Sequence, residues 1–277
     1  MIVSLHTALW NRSWDDDVVP FVEAAAAAGF RGAEVSLLGD DAGFARVARV
    51  AAELGVHLTA TTGLAPDTDV GSADPAVRAR GVEALRRAIR STAVLGAAQL
   101  SGVIYGAWGR HDPDRHDERL GHAADALRAV VPDARSAGVT LGIEAINRYE
   151  TDLVNTAVQA RALADAVDDR SVGVLLDAYH MNIEEKDPAA AVRHVGDRLV
   201  HVHVAGRDRG VPDADWLEGT GLRGALRDVG YDGVVTCEMF VRAHVPVSRD
   251  LTVWRDIEPD VDRAAREAFA VLSAWAS

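Results

Sequence analysis

The stretch RSAGVTLGIEA, residues 135–145, contains one complete junction between a helix and a strand. A helical pattern ends at Ala137, Gly138 follows, and the next apolar run finishes at Glu144. Glycine readily adopts the left-handed conformation that commonly ends a helix. The same ending recurs in four other segments, AAGF (27–30), AELGV (52–56), AVLGA (93–97) and RDVGY (227–231). This repetition predicts an α/β fold in which helices and strands alternate.

Outward from this junction, short apolar runs alternate with longer segments of helical spacing over the whole chain. The predicted strands are Ile2–Leu5, Ala33–Leu37, Val56–Thr61, Gln99–Ile104, Val139–Ala145, Val172–Asp177, Leu199–Val204 and Val234–Met239. The predicted helices are Asp15–Ala28, Asp40–Leu54, Asp74–Leu95, His116–Ala137, Val154–Val167, Pro188–Val195, Leu222–Val229 and Asp260–Ala276.

Eight β–α units without a break in composition predict one domain over residues 1–277, a (β/α)8 TIM barrel of the α/β class. The length fits, because such barrels typically have about 250 residues. A doubly wound open sheet is the alternative fold. It usually carries a Gly-rich phosphate loop after its first strand, and no such loop follows Leu5.

Composition narrows the classes of function. The chain has 48% hydrophobic and 26% charged residues, enough to form a large core. Its 42 acidic and 29 basic residues give a formal net charge of −13, which disfavours a nucleic-acid partner. The N-terminal residues do not resemble a signal peptide, and no long uncharged apolar run predicts a membrane span. A single cysteine excludes an intramolecular disulfide, and together these features favour the cytoplasm.

Four neighbouring predicted strands end in a carboxylate or an imidazole: Glu144, Asp177, His203 and Glu238. The C-terminal ends of barrel strands meet on one face, where the chemistry of such barrels occurs. Buried charges are costly unless they are paired or bind a metal, and one basic side chain could not neutralise three carboxylates. The four residues therefore predict a site for a divalent cation of the Mg/Mn/Co type rather than a structural zinc.

Other residues near these strand ends have less specific interpretations. His201 precedes His203 by two residues, so it shares the same strand face one layer deeper and is expected to be a hydrogen-bonded core histidine. Glu34 is expected to be a hydrogen-bonding residue of the site wall. Trp10, Trp14 and Trp108 lie in strand-end loops, where they could pack against a sugar or close the core.

The chain resembles the ketose 3-epimerases, the D-tagatose and D-psicose (D-allulose) 3-epimerases of the xylose-isomerase-like barrel superfamily. The resemblance covers nearly the whole chain. Its most specific motifs are IEAINRYE (143–150), LDAYHMNIEE (176–185) and VWRDI (253–257), supported by HVHVAGRDRGVP (201–212). The resemblance implies metal-dependent C3 epimerisation of free ketoses, either ketohexoses such as D-fructose, D-psicose and D-tagatose or ketopentoses. It also implies a homo-oligomer, either a dimer or a tetramer.

The resemblance also assigns roles to individual residues. Glu144, Asp177, His203 and Glu238 would hold the metal, with Mn²⁺ favoured and Co²⁺ or Mg²⁺ as alternatives. Glu144 and Glu238 would also act as acid and base on the two faces of the sugar. The remaining substrate contacts would come from Glu150, His180, Arg209 and Trp108.

The chain departs from the family pattern at three places. His6 stands at the end of the first strand, where the family commonly has an aromatic residue, and is expected to contact the far end of the sugar. Residues 212–215 read PDAD where the family has a PGxG turn, and LDAYHMN (176–182) replaces LDTFHMN. These departures affect the expected substrate more than the expected chemistry.

The expected chemistry passes through a cis-enediolate, with one carboxylate removing the C3 proton and the other returning a proton on the opposite face. Three alternative functions remain open. A hydroxypyruvate or inosose isomerase would use Arg209 to bind an acidic substrate. An endonuclease-IV-like phosphodiesterase conflicts with the acidic charge, and a catalytically dead sugar-binding barrel conflicts with the intact acid/base pair. Free sugars are expected to be preferred over sugar phosphates.

Overall fold

A computed structural model describes residues 1–37, 41–109 and 111–277 of the chain. It contains a closed parallel barrel in which each strand pairs with the next and β1 also pairs with β8. This closure confirms the predicted (β/α)8 barrel and excludes the open doubly wound sheet. The strands are β1 Ile2–His6, β2 Gly32–Ser36, β3 His57–Leu64, β4 Gln99–Ala107, β5 Thr140–Ala145, β6 Val172–Asp177, β7 Leu199–Val204 and β8 Val234–Cys237.

The eight predicted helices are present, and several begin later than expected. The helices are α1 Val19–Ala27, α2 Asp41–Leu54, α3 Pro75–Val94, α4 His116–Ala137, α5 Ala157–Val167, α6 Ala178–Glu184, α7 Pro188–Val195, α8 Ala214–Gly219, α9 Leu222–Asp228, α10 Pro246–Asp250 and α11 Val261–Ala276. Asp40, the predicted first residue of α2, lies outside the described residues. The prediction missed α6, α8 and α10, short helices in the connections that follow β6, β7 and β8.

A capping box in α5 and a proline in the first turn of α1 explain the shifted helix starts. Helix α5 was predicted from Val154 but begins after Thr156, whose side chain accepts a hydrogen bond from the Gln159 backbone in a capping box. Helix α1 was predicted from Asp15 but begins at Val19, with Pro20 in its first turn. The glycine endings behave as predicted, since Gly138 has φ 67° and its N–H bonds to carbonyls of the last turn of α4.

The barrel interior and the layer between the strands and the helices form one hydrophobic core. A smaller cluster of Ala8, Phe240, Val247 and Val253 joins the connections that follow β1 and β8. It fixes these two connections over the C-terminal end of the barrel. Among the described residues, no helix has both the length and the apolar character needed to cross a membrane.

Candidate active site

Four buried side chains converge at the C-terminal ends of β5, β6, β7 and β8. One possible ligand atom from each of Glu144, Asp177, His203 and Glu238 lies within 4.8 Å of the others. Glu238 is held beside β7 because its N–H donates to the carbonyl of Val204 at 2.9 Å. The structure therefore brings together all four residues that the sequence placed at the strand ends.

The four residues fit a divalent cation. His203 Nδ1 is buried without a hydrogen-bond partner and lies 3.9 Å from Glu144 Oε1 and 3.6 Å from Glu238 Oε1. Asp177 uses Oδ1 to cap α6 through the Tyr179 N–H at 2.7 Å, and its Oδ2 lies 3.6 Å from His180 Nε2. Three carboxylates and one imidazole lone pair are suitable ligands for Mg²⁺, Mn²⁺ or Co²⁺.

Glu34 lies behind the metal-binding group rather than in the wall of the cavity, which corrects the expectation from the sequence. Its Oε1 lies 2.6 Å from His203 Nε2, and its Oε2 lies 2.7 Å from His201 Nε2. Thr59 Oγ1 also donates to Oε2 at 2.6 Å. Although burial opposes ionisation, the two histidines hold the pKa of Glu34 well below its usual value. Because Glu34 contacts Nε2 of His203, Nδ1 of this histidine is free to face the other proposed ligands.

Burial, together with the crowding of carboxylates, changes the pKa values of the acidic residues in the site. Burial, reinforced by Glu238 and Asp177 and opposed by His203, raises the pKa of Glu144 well above its usual value. Burial likewise raises the pKa of Glu238 to about 7, although His203 and Arg209 oppose the shift. Two carboxyl groups with raised pKa values in one cavity are typical of acid/base sites.

A second set of polar residues borders this group. Glu150 accepts hydrogen bonds from Asn147 Nδ2 at 2.8 Å and from Trp108 Nε1 at 3.1 Å. Arg209 lies with Nη1 3.5 Å from Glu150 Oε1 and Nη2 3.4 Å from Glu238 Oε2. Its guanidinium stacks over the rings of Tyr179 and Phe240, at 4.6 and 4.8 Å from their centroids. Burial opposes the charge, but the acidic neighbours raise the pKa of Arg209.

His180 is oriented by a backbone hydrogen bond. The N–H of Asn147 donates to His180 Nδ1 at 3.1 Å, so in the neutral ring the proton lies on Nε2. Nε2 lies 3.9 Å from Glu144 Oε1, and burial lowers the pKa of His180. His180 can therefore present an N–H donor beside the carboxylates.

These residues surround a cavity of about 400 Å³ at the C-terminal face of the barrel. The predicted substrate-binding or acid/base residues in its lining are His6, Trp108, Glu144, Glu150, His180, Arg209 and Glu238. Trp14 also lines the cavity, and its Nε1 donates to Asp250 Oδ2 at 2.8 Å, which ties the β1 connection to α10. Trp10 instead donates to Asp262 at 2.8 Å and belongs to the core.

Comparison with known proteins places this architecture in a family. The Xylose isomerase-like TIM barrel family matches residues 22–274. An L-ribulose 3-epimerase from Methylomonas sp. (strain DH-1) is 33% identical over 96% of this chain and 95% of the relative. A ketose 3-epimerase from Arthrobacter globiformis is also 33% identical, over 98% of this chain and 96% of the relative. This chain belongs to the ketose 3-epimerases. As a member of that family it is an enzyme of the isomerase class.

Solved structures of ketose 3-epimerases share the fold over the full length. A D-psicose 3-epimerase crystallised in the presence of D-fructose has a TM-score of 0.93 and 30% identity, and the match covers 100% of this chain and 99% of that protein. A D-allulose 3-epimerase from Methylomonas sp. in complex with D-allulose has a TM-score of 0.91 and 32% identity, covering 99% of this chain and 96% of that protein.

The sequence did not indicate three residues that shape this ketose 3-epimerase site, and it misplaced a fourth. Glu34 was misassigned to the wall, Asn147 holds both Glu150 and His180, and Asp250 closes the cavity with Trp14. Thr61 lines the cavity from β3 and lies 3.0 Å from His6 Nε2. The signal available for Glu34 was its position at the same level as His6, with which it pairs in register on β1 and β2.

Proposed function

We propose that this enzyme epimerises free ketoses at C3, with Glu144 and Glu238 as the acid/base pair. The proposal depends on one observation above all: both carboxyl groups line the same cavity, both have raised pKa values, and they approach it from β5 and β8. A proton can thus leave one face of a sugar and return to the other. The relatives named for L-ribulose and D-psicose support a ketose as substrate.

Glu144, Asp177, His203 and Glu238 would hold the divalent cation, Mn²⁺ in our proposal, with Co²⁺ or Mg²⁺ as alternatives. When bound, such a cation polarises the carbonyl and stabilises negative charge that develops on the sugar oxygens. The free Nδ1 of His203 and the three neighbouring carboxylates support this assignment.

The protein's own residues transfer the proton and bind the sugar. One of Glu144 and Glu238 removes the C3 proton, the sugar becomes a cis-enediolate, and the other carboxyl returns a proton on the opposite face. The Nε2–H of His180 donates to the oxygen at C2, since the Asn147 N–H holds the ring in that tautomer. Glu150 and Arg209 hold the hydroxyl groups at the C1 end. Trp108 orients Glu150 through its indole N–H.

Free sugars fit the cavity better than phosphorylated or acidic ones. The one cation among the predicted contact residues, Arg209, already faces Glu150 and Glu238. An anionic substrate would have to compete with both carboxylates.

We further propose a single domain over residues 1–277, assembled as a homo-oligomer, either a dimer or a tetramer, in the cytoplasm. The closed barrel supports the single domain, the resemblance to the ketose 3-epimerases supports the oligomer, and the single cysteine supports the cytoplasm.

A substrate panel tests the proposed function. The Mn²⁺-loaded enzyme is incubated with free ketohexoses and ketopentoses, and the products are separated by chromatography. We expect interconversion of C3 epimers for at least one pair. Formation of aldoses as the main products would favour an aldose–ketose isomerase, and absence of any turnover across the panel would refute the proposal.

A further inference from the structure

The cavity has two chemically different sides. Its charged residues follow β5 to β8, as do Glu150, Arg209 and Glu238. On the side formed by β1 to β3, the polar lining consists of uncharged side chains, among them His6 and Thr61. The proposed reaction uses the first side for the carbonyl end of the ketose. The second side must therefore meet the rest of the sugar.

His6 is held in one orientation and one tautomer. It caps a short 3-10 turn, in which the N–H of Ala8 donates to His6 Nδ1 at 3.1 Å. A protonated Nδ1 would face this N–H donor to donor, so the ring proton lies on Nε2. Nε2 lies 3.0 Å from Thr61 Oγ1, and the imidazole packs against Phe240 with ring centroids 6.1 Å apart. His6 therefore donates to the Thr61 hydroxyl.

The hydroxyl group of Thr61 still has a hydrogen that it can donate. Because Oγ1 accepts from His6, its own hydrogen must point elsewhere, and among the described residues Oγ1 has no second partner. Thr61 is 92% buried, at 8% exposure, yet lines the cavity. An uncharged hydroxyl group on a ligand can accept this hydrogen bond at little desolvation cost.

We propose that the His6–Thr61 pair is a specificity determinant that binds one hydroxyl group of the ketose beyond C3. The inference rests on the proposed function, since it takes the carbonyl end of the sugar to lie at Glu150 and Arg209. A site built to hydrogen-bond a hydroxyl group discriminates against an analogue that lacks it, because the buried polar atoms lose their partner.

The test crosses protein variants with deoxy sugars. Wild type, Thr61→Val and Thr61→Ser are assayed with the ketohexose turned over best and with its 4-, 5- and 6-deoxy analogues. Thr61→Val should lower kcat/KM for the parent sugar about 3- to 10-fold, mainly through KM, the effect of one neutral hydrogen bond. For the one deoxy analogue that lacks the bound hydroxyl group, wild type and Thr61→Val should have equal kcat/KM values. Thr61→Ser should restore the preference for the parent sugar.

Controls separate this role from a structural one. Thr92→Val removes a buried hydroxyl that bonds within α3, outside the cavity lining, and should leave the relative kcat/KM values of the four sugars unchanged. Metal content is measured in each variant. If Thr61→Val does not fold, Thr61→Ala replaces it in the same comparison.

The outcomes distinguish the two proposals. If Thr61→Val lowers kcat/KM equally for the parent and all three deoxy sugars, or lowers it for none of them, the role of the pair is overturned. The epimerase function would remain intact. If wild type epimerises no ketose, the proposed function fails, and the inference that rests on it falls as well.

Discussion

Glu34 Oε1 on β2 lies 2.6 Å from His203 Nε2 on β7, although these strands are not neighbours in the barrel. The two side chains meet across the barrel interior, where both are fully buried. Because Glu34 occupies Nε2, only Nδ1 of His203 faces Glu144 and Glu238. The relationship shows how a residue outside the proposed ligand set can decide which imidazole nitrogen a metal meets.

Replacement of Glu34 should therefore weaken metal binding without removing a ligand. Glu34→Gln should lower the affinity for Mn²⁺ about 10- to 100-fold, the usual effect of losing a carboxylate partner of a ligating histidine. Titration calorimetry with Mn²⁺ measures this directly. Glu53→Gln, the same change at an exposed position on α2, is the matched control. Equal affinities of the two variants would show that Glu34 does not orient the ligand.

Removal of metal should abolish turnover. Exhaustive chelation should reduce activity to background, and addition of Mn²⁺, Co²⁺ or Mg²⁺ should restore it, because the cation would stabilise the negative charge that develops on the sugar oxygens. Asp177→Asn should bind Mn²⁺ weakly while the barrel stays folded by circular dichroism. Full activity in protein shown to be metal-free by elemental analysis would contradict the assignment.

Isotope labelling should identify the carbon at which the reaction occurs. In D2O the product should carry deuterium at C3 and none at C1, because one carboxyl removes the proton and the other returns one that exchanges with solvent. Glu144→Gln and Glu238→Gln should each reduce kcat by about 100- to 10,000-fold, the range for a positioned acid or base. Metal content must be measured in both variants, since each residue is also a proposed ligand. Label at C1 would instead indicate an aldose–ketose isomerase.

The contribution of Glu238 to the stability of the metal-free protein should fall as the pH rises. Burial raises the pKa of Glu238 to about 7. At pH values between the ordinary pKa of a glutamate and 7, the folded state therefore binds a proton that the unfolded state has lost. Stability attributable to this group is thus present at low pH and lost as pH rises through about 7. In urea titrations of metal-free protein, Glu238→Gln should be more stable than wild type at pH 8, on the order of 1–3 kcal/mol. The difference should shrink toward pH 5, and a constant difference would argue against the raised pKa.

Sugar phosphates should be poor substrates. Arg209 faces Glu150 and Glu238, and the cavity holds further carboxylates, so a phosphate would meet like charges. We expect kcat/KM for a free ketohexose to exceed that for its 1-phosphate, whose phosphate would lie at Glu150 and Arg209, by more than about 10-fold, since placing like charges together costs several kcal/mol. A preference for the phosphate would show that Arg209 binds an anionic substrate in spite of Glu150 and Glu238.

Local rules were sufficient for the barrel. The helix endings at Gly138 and its counterparts were recognisable because an αL cap needs few atoms besides the glycine itself. Helix α5 has no such glycine, because Asp168 ends it with φ 58°, and its end at Val167 was nevertheless predicted correctly. The short helices α6, α8 and α10 were missed because they have too few residues for a periodic pattern and depend on packing for their stability.

By itself, the sequence determined the α/β alternation and the four strand-end residues of the proposed metal site. Parallel strands bring their C-terminal ends to one face, so position along each strand was enough to place Glu144, Asp177, His203 and Glu238 together. Only the tertiary structure decided the partners of Glu34 and His6. The contact of Glu34 with His203 needs the barrel to close, and the contact of His6 with Thr61 needs β1 and β3 to lie on either side of β2. Such contacts depend on distances between distant segments, which no local pattern specifies.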